Sequence, residues 1–270
     1  IFSNEMIEEL ENELESEILD TEFLTEDPIE MTDEVNNQAK IDETIGNPVY
    51  LDFELTNDRV KKEYAASQFY NICAEGAQDY GWSTNIPMSM LTQESAGKEK
   101  NLMQIQFNEW NDEPQRVFNF TKNQYETFML TNTPEKYADK EYIIVTEKDL
   151  DDPRTNIRVG CALLRKSAEA MHYHLLAAIQ CYNLGIGNME DVLEYTAEVT
   201  GQEVDDILSD QTNASFAEYT YLPGVGDPKY LSNVFAFLDG YGEEITYKHF
   251  NKNDEIIEER INIFSHQQKL

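Results

Sequence analysis

The sequence contains no run of about 18 apolar residues, so no segment of it is predicted to insert into a membrane. It is also poor in basic residues, with 20 Lys and Arg against 53 Asp and Glu, and its formal net charge is -33. Nucleic acids and anionic membranes bind to clustered Lys and Arg. The composition therefore argues against both kinds of partner.

Glycine and proline are scarce, with 12 and 8 residues in a chain of 270. Apolar residues between positions 57 and 240 recur mostly at helical spacing, which predicts a mainly α fold with little sheet. The length suits one sizeable globular domain with an appendage, or two small domains.

Cysteine motifs are also missing. The three cysteines, Cys73, Cys161 and Cys181, form no CxxC pair and have no histidine at zinc-ligand spacing. We therefore predict no metal site and no cofactor. Each cysteine lies among apolar residues at helical spacing, which is typical of a small buried side chain, with one disulfide as the alternative.

The sequence is rich in acidic residues near its start. Residues 1–50 contain 16 acidic residues and a single base, Lys40. Ile7, Leu10, Leu14 and Ile18 form one narrow apolar stripe there, followed by a polar linker. We predict an appendage over residues 1–48, disordered or helical. The stripe indicates either a docking helix for a protein partner or a solvated helix without one.

The predicted globular domain covers residues 49–240, and residues 241–270 form a C-terminal tail that is either a hairpin or a helix. Residues 108–152 lack a helical period, and a short strand is predicted at 141–147. The helices predicted from apolar spacing and from cap residues span residues 57–80, with Gly81 as the stop, and 87–94, 152–171, 175–187, 189–200, 202–209 and 227–240.

Glu94 is the residue around which the chain is organised. It stands where a predicted helix ends, before a turn of small residues and an apolar segment that closes with Gln104. This arrangement places one carboxyl group at the edge of a cleft. We interpret Glu94 as a general acid that acts on a glycosidic bond.

Four motifs follow one another in an order that resembles a known superfamily. They are QES at 93–95, NLMQ at 101–104, DPRTNIRVGCALL at 152–164 and AIQCYNLG at 178–185. Together they resemble the goose-type lysozymes and soluble lytic transglycosylases over residues 60–240. With GDPKYLSNV at 226–234, the chain looks most similar to the lysozyme-like domain of cell-wall hydrolases from conjugative elements and phages of Gram-positive bacteria.

The sequence departs from the family at three positions. The family commonly has Gly where Ala96 and Asn101 stand, and Ala where Cys181 stands. The segment before Asp152 is also longer than usual. The resemblance implies a lysozyme-like α+β fold with a minimal β element.

The resemblance also implies a role for each motif residue. Glu94 is the implied catalytic acid and Ser95 supports its orientation. The implied substrate-binding residues are Met103, Gln104, Tyr182 and Asn183. Such an acid must stay protonated near neutral pH, so its pKa must rise from about 4.3 toward 6 through burial. The candidates for the apolar wall are Leu102, Met103 and Tyr182.

The implied function is cleavage of the bond between N-acetylmuramic acid and N-acetylglucosamine in peptidoglycan, by a lytic transglycosylase or a muramidase. One acid suffices if the muramic 6-hydroxyl attacks its own anomeric carbon, whereas hydrolysis needs a second carboxylate. Glu99, Glu109 and Asp112 are near in sequence, and no motif singles one out. The implied location is extracellular, at the cell wall or on a virion.

A second interpretation is a weak or inactive lysozyme-fold component of a phage virion or of a secretion or conjugation machine, docked through the acidic appendage. The charge favours it, because anionic cell walls repel a chain of -33 unless something delivers it.

Overall fold

The computed structural model describes residues 47–51, 57–241 and 245–265, all within one compact unit, Asp42–Leu270. Apart from its last two residues, the predicted acidic appendage lies outside the described residues. The α-helices in the described ranges are α1 (Asn57–Ala66), α2 (Tyr70–Tyr80), α3 (Asn85–Glu94), α4 (Phe107–Trp110), α5 (Pro153–Ala170), α6 (Leu175–Leu184), α7 (Ile186–Thr200), α8 (Val204–Ser209) and α9 (Tyr230–Tyr241). The prediction of a mainly α fold is confirmed.

Helix α5 forms the middle of the core. The Asp152 carboxylate accepts a hydrogen bond from the backbone N–H of Thr155, and Pro153 occupies the first turn, so the helix starts where the sequence predicts. Helices α2 and α6 pack against α5. A Cβ at Gly76 of α2 would lie 3.1 Å from the Cys161 sulfur, so this crossing depends on a small residue. The three cysteines are buried and free.

The single helix predicted over residues 57–80 is wrong, because a 3-10 turn at Ser67–Phe69 separates α1 from α2. The Ser67 hydroxyl donates to the Tyr64 carbonyl, and the Gln68 amide donates to the Ala65 carbonyl. Side chains that bond nearby carbonyls compete with the helical pattern. The predicted stop is confirmed, since Gly81 has a φ of +77°.

The aperiodic segment contains more sheet than expected. The predicted strand at 141–147 is present as β4 (Ile143–Val145), which runs parallel to β3 (Gln124–Leu130). β3 in turn pairs antiparallel with β2 (Pro114–Asn119), and this hairpin was not predicted.

A second three-stranded sheet within the described ranges contains the C-terminal residues. β5 (Ile245–Phe250) and β6 (Ile256–Ser265) form an antiparallel hairpin, and β1 (Asn47–Leu51) runs parallel to β6. Of the two alternatives for the tail, the structure has the hairpin. The domain limits 1–48, 49–240 and 241–270 stay a prediction.

This hairpin shares the core of the helical body. Ile245, Tyr247 and Ile261 belong to the same buried cluster as α5. Arg165 of α5 is fully buried, and its guanidinium donates to the Lys248 carbonyl of β5 at 2.5 Å. The rings within 6.0 Å of the guanidinium carbon are those of Trp82, Phe120 and Tyr173.

Candidate active site

Helix α3 delivers Glu94 to the edge of the core. Its residues from Asn85 to Thr92 are buried, and Glu94 is its last residue and half-buried. The chain then turns sharply, with Ala96 at φ +51° and Gly97 at φ +70°. The left-handed region favours glycine, which gives a physical reason for the family's Gly at the position of Ala96. The turn leaves the Glu94 carboxyl at the end of a rigid helix.

Tyr230 of α9 makes the direct contact with Glu94. Its hydroxyl donates to Glu94 Oε1 at 2.6 Å, and Tyr230 itself is buried. Burial raises the pKa of Glu94 to about 7, against the Tyr230 hydrogen bond, which stabilises the carboxylate, and with a further increase from the charge of Asp227. A large share of the molecules therefore keep the Glu94 proton at neutral pH.

Tyr182 of α6 forms another side of the site. Its hydroxyl donates to the Met103 carbonyl at 2.8 Å. Burial raises the pKa of Tyr182, and the charge of Glu94 raises it further, so the two side chains are near enough to interact electrostatically. The structure thus brings the first, second and fourth motifs together.

The turn that carries Met103 and Gln104 is held by two asparagines. The Met103 N–H donates to the Asn156 side-chain oxygen, and the Asn156 amide donates to the Asn101 side-chain oxygen, both at 2.9 Å. Asn101 also accepts from the Ile105 N–H, so its side chain fastens the turn where the family commonly has Gly. Gln104 has a φ of +47° and is half-buried.

The Met103 side chain does not line an open groove. It is fully buried, and a Cβ at Gly160 of α5 would lie 2.7 Å from its Cγ. Met103 reaches the site through its carbonyl. Ser95 also acts on the backbone, because its hydroxyl contacts the Leu91 carbonyl and accepts from the Gly97 N–H at 3.1 Å. It fixes the turn that follows Glu94.

Asn183 fastens the segment before α9. Its side-chain oxygen accepts from the Asp227 N–H at 2.6 Å. A Cβ at Gly226 would lie 2.5 Å from the same oxygen, and the φ of Gly226 is +69°, so glycine is required there. Asn183 thereby positions Asp227, whose charge acts on Glu94.

Both oxygens of the Asp227 carboxylate accept hydrogen bonds. One oxygen accepts from the Lys229 N–H at 2.8 Å and the other from the Asn233 amide at 3.3 Å. Arg59 of α1 donates to the Asn233 side-chain oxygen at 2.8 Å, which turns the amide nitrogen toward Asp227. A chain of contacts thus links α1 to the site.

Tyr230 and Asp227 are site residues to which the sequence assigned no role. Both lie in the motif at 226–234, whose spacing placed a helix start there. The acids near Glu94 in sequence that could serve as a second carboxylate are Glu99, Glu109 and Asp112. Glu99 is exposed, Asp112 accepts from the Thr131 hydroxyl at 2.6 Å, and the Glu109 side chain is not among the described ones.

The arrangement suits proton transfer by one acid. Within the described part of the chain, no group of three or more His, Cys, Asp or Glu is placed to hold a metal ion. The described helices also include none that is long and apolar enough to cross a bilayer.

Comparison with protein families finds a known domain that covers most of the residues of this site. Residues 72–204 match the Transglycosylase SLT domain, a range that contains Glu94, the 101–104 turn and the Tyr182–Asn183 pair. Tyr230 and Asp227 lie beyond its end. The match supports the lytic transglycosylase and lysozyme-like superfamily, and the prediction of a mainly α lysozyme-like domain with a small β element is confirmed.

A domain of this family binds peptidoglycan and implies lytic transglycosylase-type activity. It is consistent with an extracellular or cell-wall location. No curated protein is similar enough to the chain to count as a match.

Proposed function

We propose that this protein cleaves peptidoglycan glycan strands at the β-1,4 bond between N-acetylmuramic acid and N-acetylglucosamine, with Glu94 as the single general acid and base. One observation carries the proposal. The Glu94 carboxyl stands at the end of a buried helix with a pKa raised to about 7, while Tyr230 donates a hydrogen bond to it. A general acid works best when its pKa is near the working pH.

The reaction needs two proton transfers at one group. Protonated Glu94 gives its proton to the glycosidic oxygen as the bond to the muramic anomeric carbon breaks. The resulting carboxylate then takes the proton of the muramic 6-hydroxyl as its oxygen bonds to the same carbon, which gives a 1,6-anhydro product. The Tyr230 hydrogen bond stabilises the carboxylate between the two steps.

The other motif residues shape the site in this proposal. Gln104 and Asn183 contact the sugars, and Tyr182 and the Met103 carbonyl form the wall against which Glu94 is desolvated. Ser95 supports the orientation of Glu94 through the turn that follows it.

The intramolecular route needs only Glu94, whereas hydrolysis with two carboxylates needs a second acid that acts as a nucleophile or activates water. Asp227 is the acid whose charge acts on Glu94, and the Lys229 N–H and the Asn233 amide fix the orientation of its carboxylate. We propose that Asp227 acts through its charge.

Replacing Glu94 with Gln tests the proposal. The amide keeps the shape and can accept the Tyr230 hydrogen bond, but it has no proton to give. We expect the release of muropeptides from purified cell walls to fall at least about 100-fold, in line with the contribution of a general acid. Glu99→Gln, an exposed acid nearby, is the matched control and should keep full activity.

Mass spectrometry of the released muropeptides identifies the reaction. Anhydromuramic ends support the intramolecular attack, and reducing ends identify a muramidase. Undiminished release by the Glu94→Gln variant would reject the assigned role.

The net charge of -33 favours a second candidate. In it, the domain is a weak or inactive structural component of a phage virion or a conjugation machine, and its partner delivers it to the wall. A wild-type protein that binds purified walls and releases no muropeptides at any pH from 4 to 9 would favour this candidate. In the first candidate, the same delivery serves local opening of the cell wall.

A further inference from the structure

A cavity of about 420 Å³ opens at the other end of helix α3 from Glu94. The two ends of this helix are roughly 14 Å apart, at about 1.5 Å per residue. The volume lies in the range of roughly 300–1,000 Å³ that is common for small-molecule sites. Its lining includes the uncharged polar residues Tyr70, Gln78, Ser83, Asn85 and Thr246, and the charged pair Lys248 and Glu258.

We propose that this cavity is a second, non-catalytic binding site for a neutral N-acetylhexosamine unit of a glycan strand. The choice of peptidoglycan as the source of that sugar rests on the proposed function. The binding of an N-acetylhexosamine is a property of the cavity alone.

The chemistry of the lining suits a sugar. Tyr70 is 47% exposed, so its ring offers apolar surface against which a pyranose can pack. Gln78 and Asn85 supply amides, which both donate and accept hydrogen bonds, as sugar hydroxyl and acetamido groups require. The Ser83 hydroxyl oxygen is buried and has no hydrogen-bond partner among the described residues, and rotation about its χ1 gives it other orientations.

The charge of the lining favours a neutral ligand. Lys248 and Glu258 stand opposite each other on β5 and β6 and offset one another. Another cavity in the described part of the chain is different, because its lining includes Glu194, Glu203, Asp205 and Asp206. In a chain of -33 the cavity near Tyr70 offers polar contacts without a surplus of negative charge.

The floor of the cavity is fixed before any ligand binds. The Lys248 N–H donates to the Gly81 carbonyl at 2.7 Å, and the Ser83 N–H donates to the Thr246 carbonyl at 2.9 Å. Gly81 has a φ of +77°, and a Cβ there would lie 2.8 Å from the Phe120 ring. A rigid site loses little conformational entropy on binding.

A second sugar site would also offset the electrostatic repulsion between this protein and the cell wall. An acidic protein is repelled by an anionic cell wall, and two weak neutral contacts on one polymer raise the effective concentration of the enzyme at the strand. The cavity would therefore hold the protein on glycan while Glu94 acts elsewhere.

The test uses the full chain and tri-N-acetylchitotriose as the probe, followed by amide NMR. We expect shifts at the amides of residues 81–85 and 246–248, separate from any shifts at residues 94–104. Tyr70→Ala should weaken binding at residues 81–85 by about tenfold, the scale of a lost aromatic contact. Tyr64→Ala removes a tyrosine that is 73% exposed and is the matched control.

A second variant keeps the inference testable if Tyr70→Ala does not fold. Gln78→Ala changes an exposed side chain of the lining and should also weaken the response at residues 81–85. No shift at residues 81–85 at millimolar chitotriose would overturn the inference, even if the enzyme cleaves cell walls. Shifts there that respond to Tyr70→Ala would support it, even if wild-type protein releases no muropeptides.

Discussion

Two glutamates in this molecule each accept a hydrogen bond from a buried tyrosine, yet their environments push their pKa values in opposite directions. Glu94 accepts from Tyr230, and burial raises its pKa to about 7. Glu126 of β3 accepts from Tyr80 at 2.9 Å and has a lowered pKa. One tyrosine hydroxyl is therefore not what decides the protonation state.

The difference lies in the other partners. Glu126 is also bound by Asn119, Lys122 and Arg158, and these donors outweigh the cost of burying the carboxylate. Glu94 has the opposite surroundings, because the charged residue that acts on it is Asp227, an acid. A buried carboxylate surrounded by donors holds structure together, and one that lacks them keeps a proton to give.

The largest expected effect comes from removing the charge of Glu126. Glu126→Gln removes the charge that Lys122 and Arg158 share, and Arg158 keeps Asp79 as an acidic partner. Weakening such a partly buried group of charges costs up to about 3 kcal/mol. We expect chemical denaturation at pH 7 to show this loss in the free energy of unfolding. Glu113→Gln, an exposed acid just before the same hairpin, should change it by less than about 0.5 kcal/mol. A loss below about 1 kcal/mol for Glu126→Gln would show that the Glu126 carboxylate does not stabilise the fold, and the contrast with Glu94 would fail.

The same substitution at Glu94 should act in the other direction. The pKa of Glu94 in the folded protein is about 7, above the ordinary value of 4.5. Its contribution to stability is therefore fully present below pH 4.5 and is lost as the pH rises through 7. Glu94→Gln should raise the free energy of unfolding by about 1–3 kcal/mol at pH 8.

No difference from the wild type is expected at pH 4, where Glu94 is neutral in both states. Glu99→Gln should show neither effect, because that side chain is exposed. A variant that is destabilised at pH 8 would show that the Glu94 carboxylate is favourable in the folded protein, and the contrast with Glu126 would fail.

The two glutamates also differ in how far the sequence predicted them. Glu94 stands out locally, at the end of a helical period and before a small-residue turn, in a motif with a known counterpart. Glu126 lies in a segment without a period, and its donors Tyr80 and Arg158 are 46 and 32 positions away. Contacts over such separations leave no local pattern.

The missed β2–β3 hairpin has a related cause. Val117 and Phe118 are consecutive and both buried, which hides the alternation that marks a strand. Phe118 is buried because its ring packs against Phe250 of the C-terminal hairpin at 4.9 Å between centroids. Tyr230 was missed for the same reason as Glu126, since 136 positions separate it from Glu94.

Removing the Tyr230 hydroxyl, which donates to Glu94, should sharpen the comparison. The Tyr230 hydrogen bond lowers the pKa of Glu94, so Tyr230→Phe should raise it. The alkaline limit of activity should move up by about one pH unit, the scale of a hydrogen bond to a charged group. Carbon-13 NMR of Glu94 measures the same shift without catalysis. Tyr219→Phe, a ring that packs on Tyr195, is the control.

The smallest expected effect concerns the acidic neighbour. The charge of Asp227 raises the pKa of Glu94, so Asp227→Asn should lower it and move the alkaline limit of activity down. The Asn side chain can still accept from the Lys229 N–H, and the backbone bond to Asn183 is unchanged. We expect about half a pH unit, because solvent and salt screen a charge in a partly solvated site.

The double variant decides whether the two neighbours act independently on Glu94. If they do, the upward shift of Tyr230→Phe and the downward shift of Asp227→Asn add within error. An Asp227→Asn shift in the upward direction would mean that Asp227 acts by orienting Tyr230, whose N–H donates to the Asp227 carbonyl at 3.0 Å. In that case the difference in hydrogen-bond donors, without the acidic neighbour, separates Glu94 from Glu126.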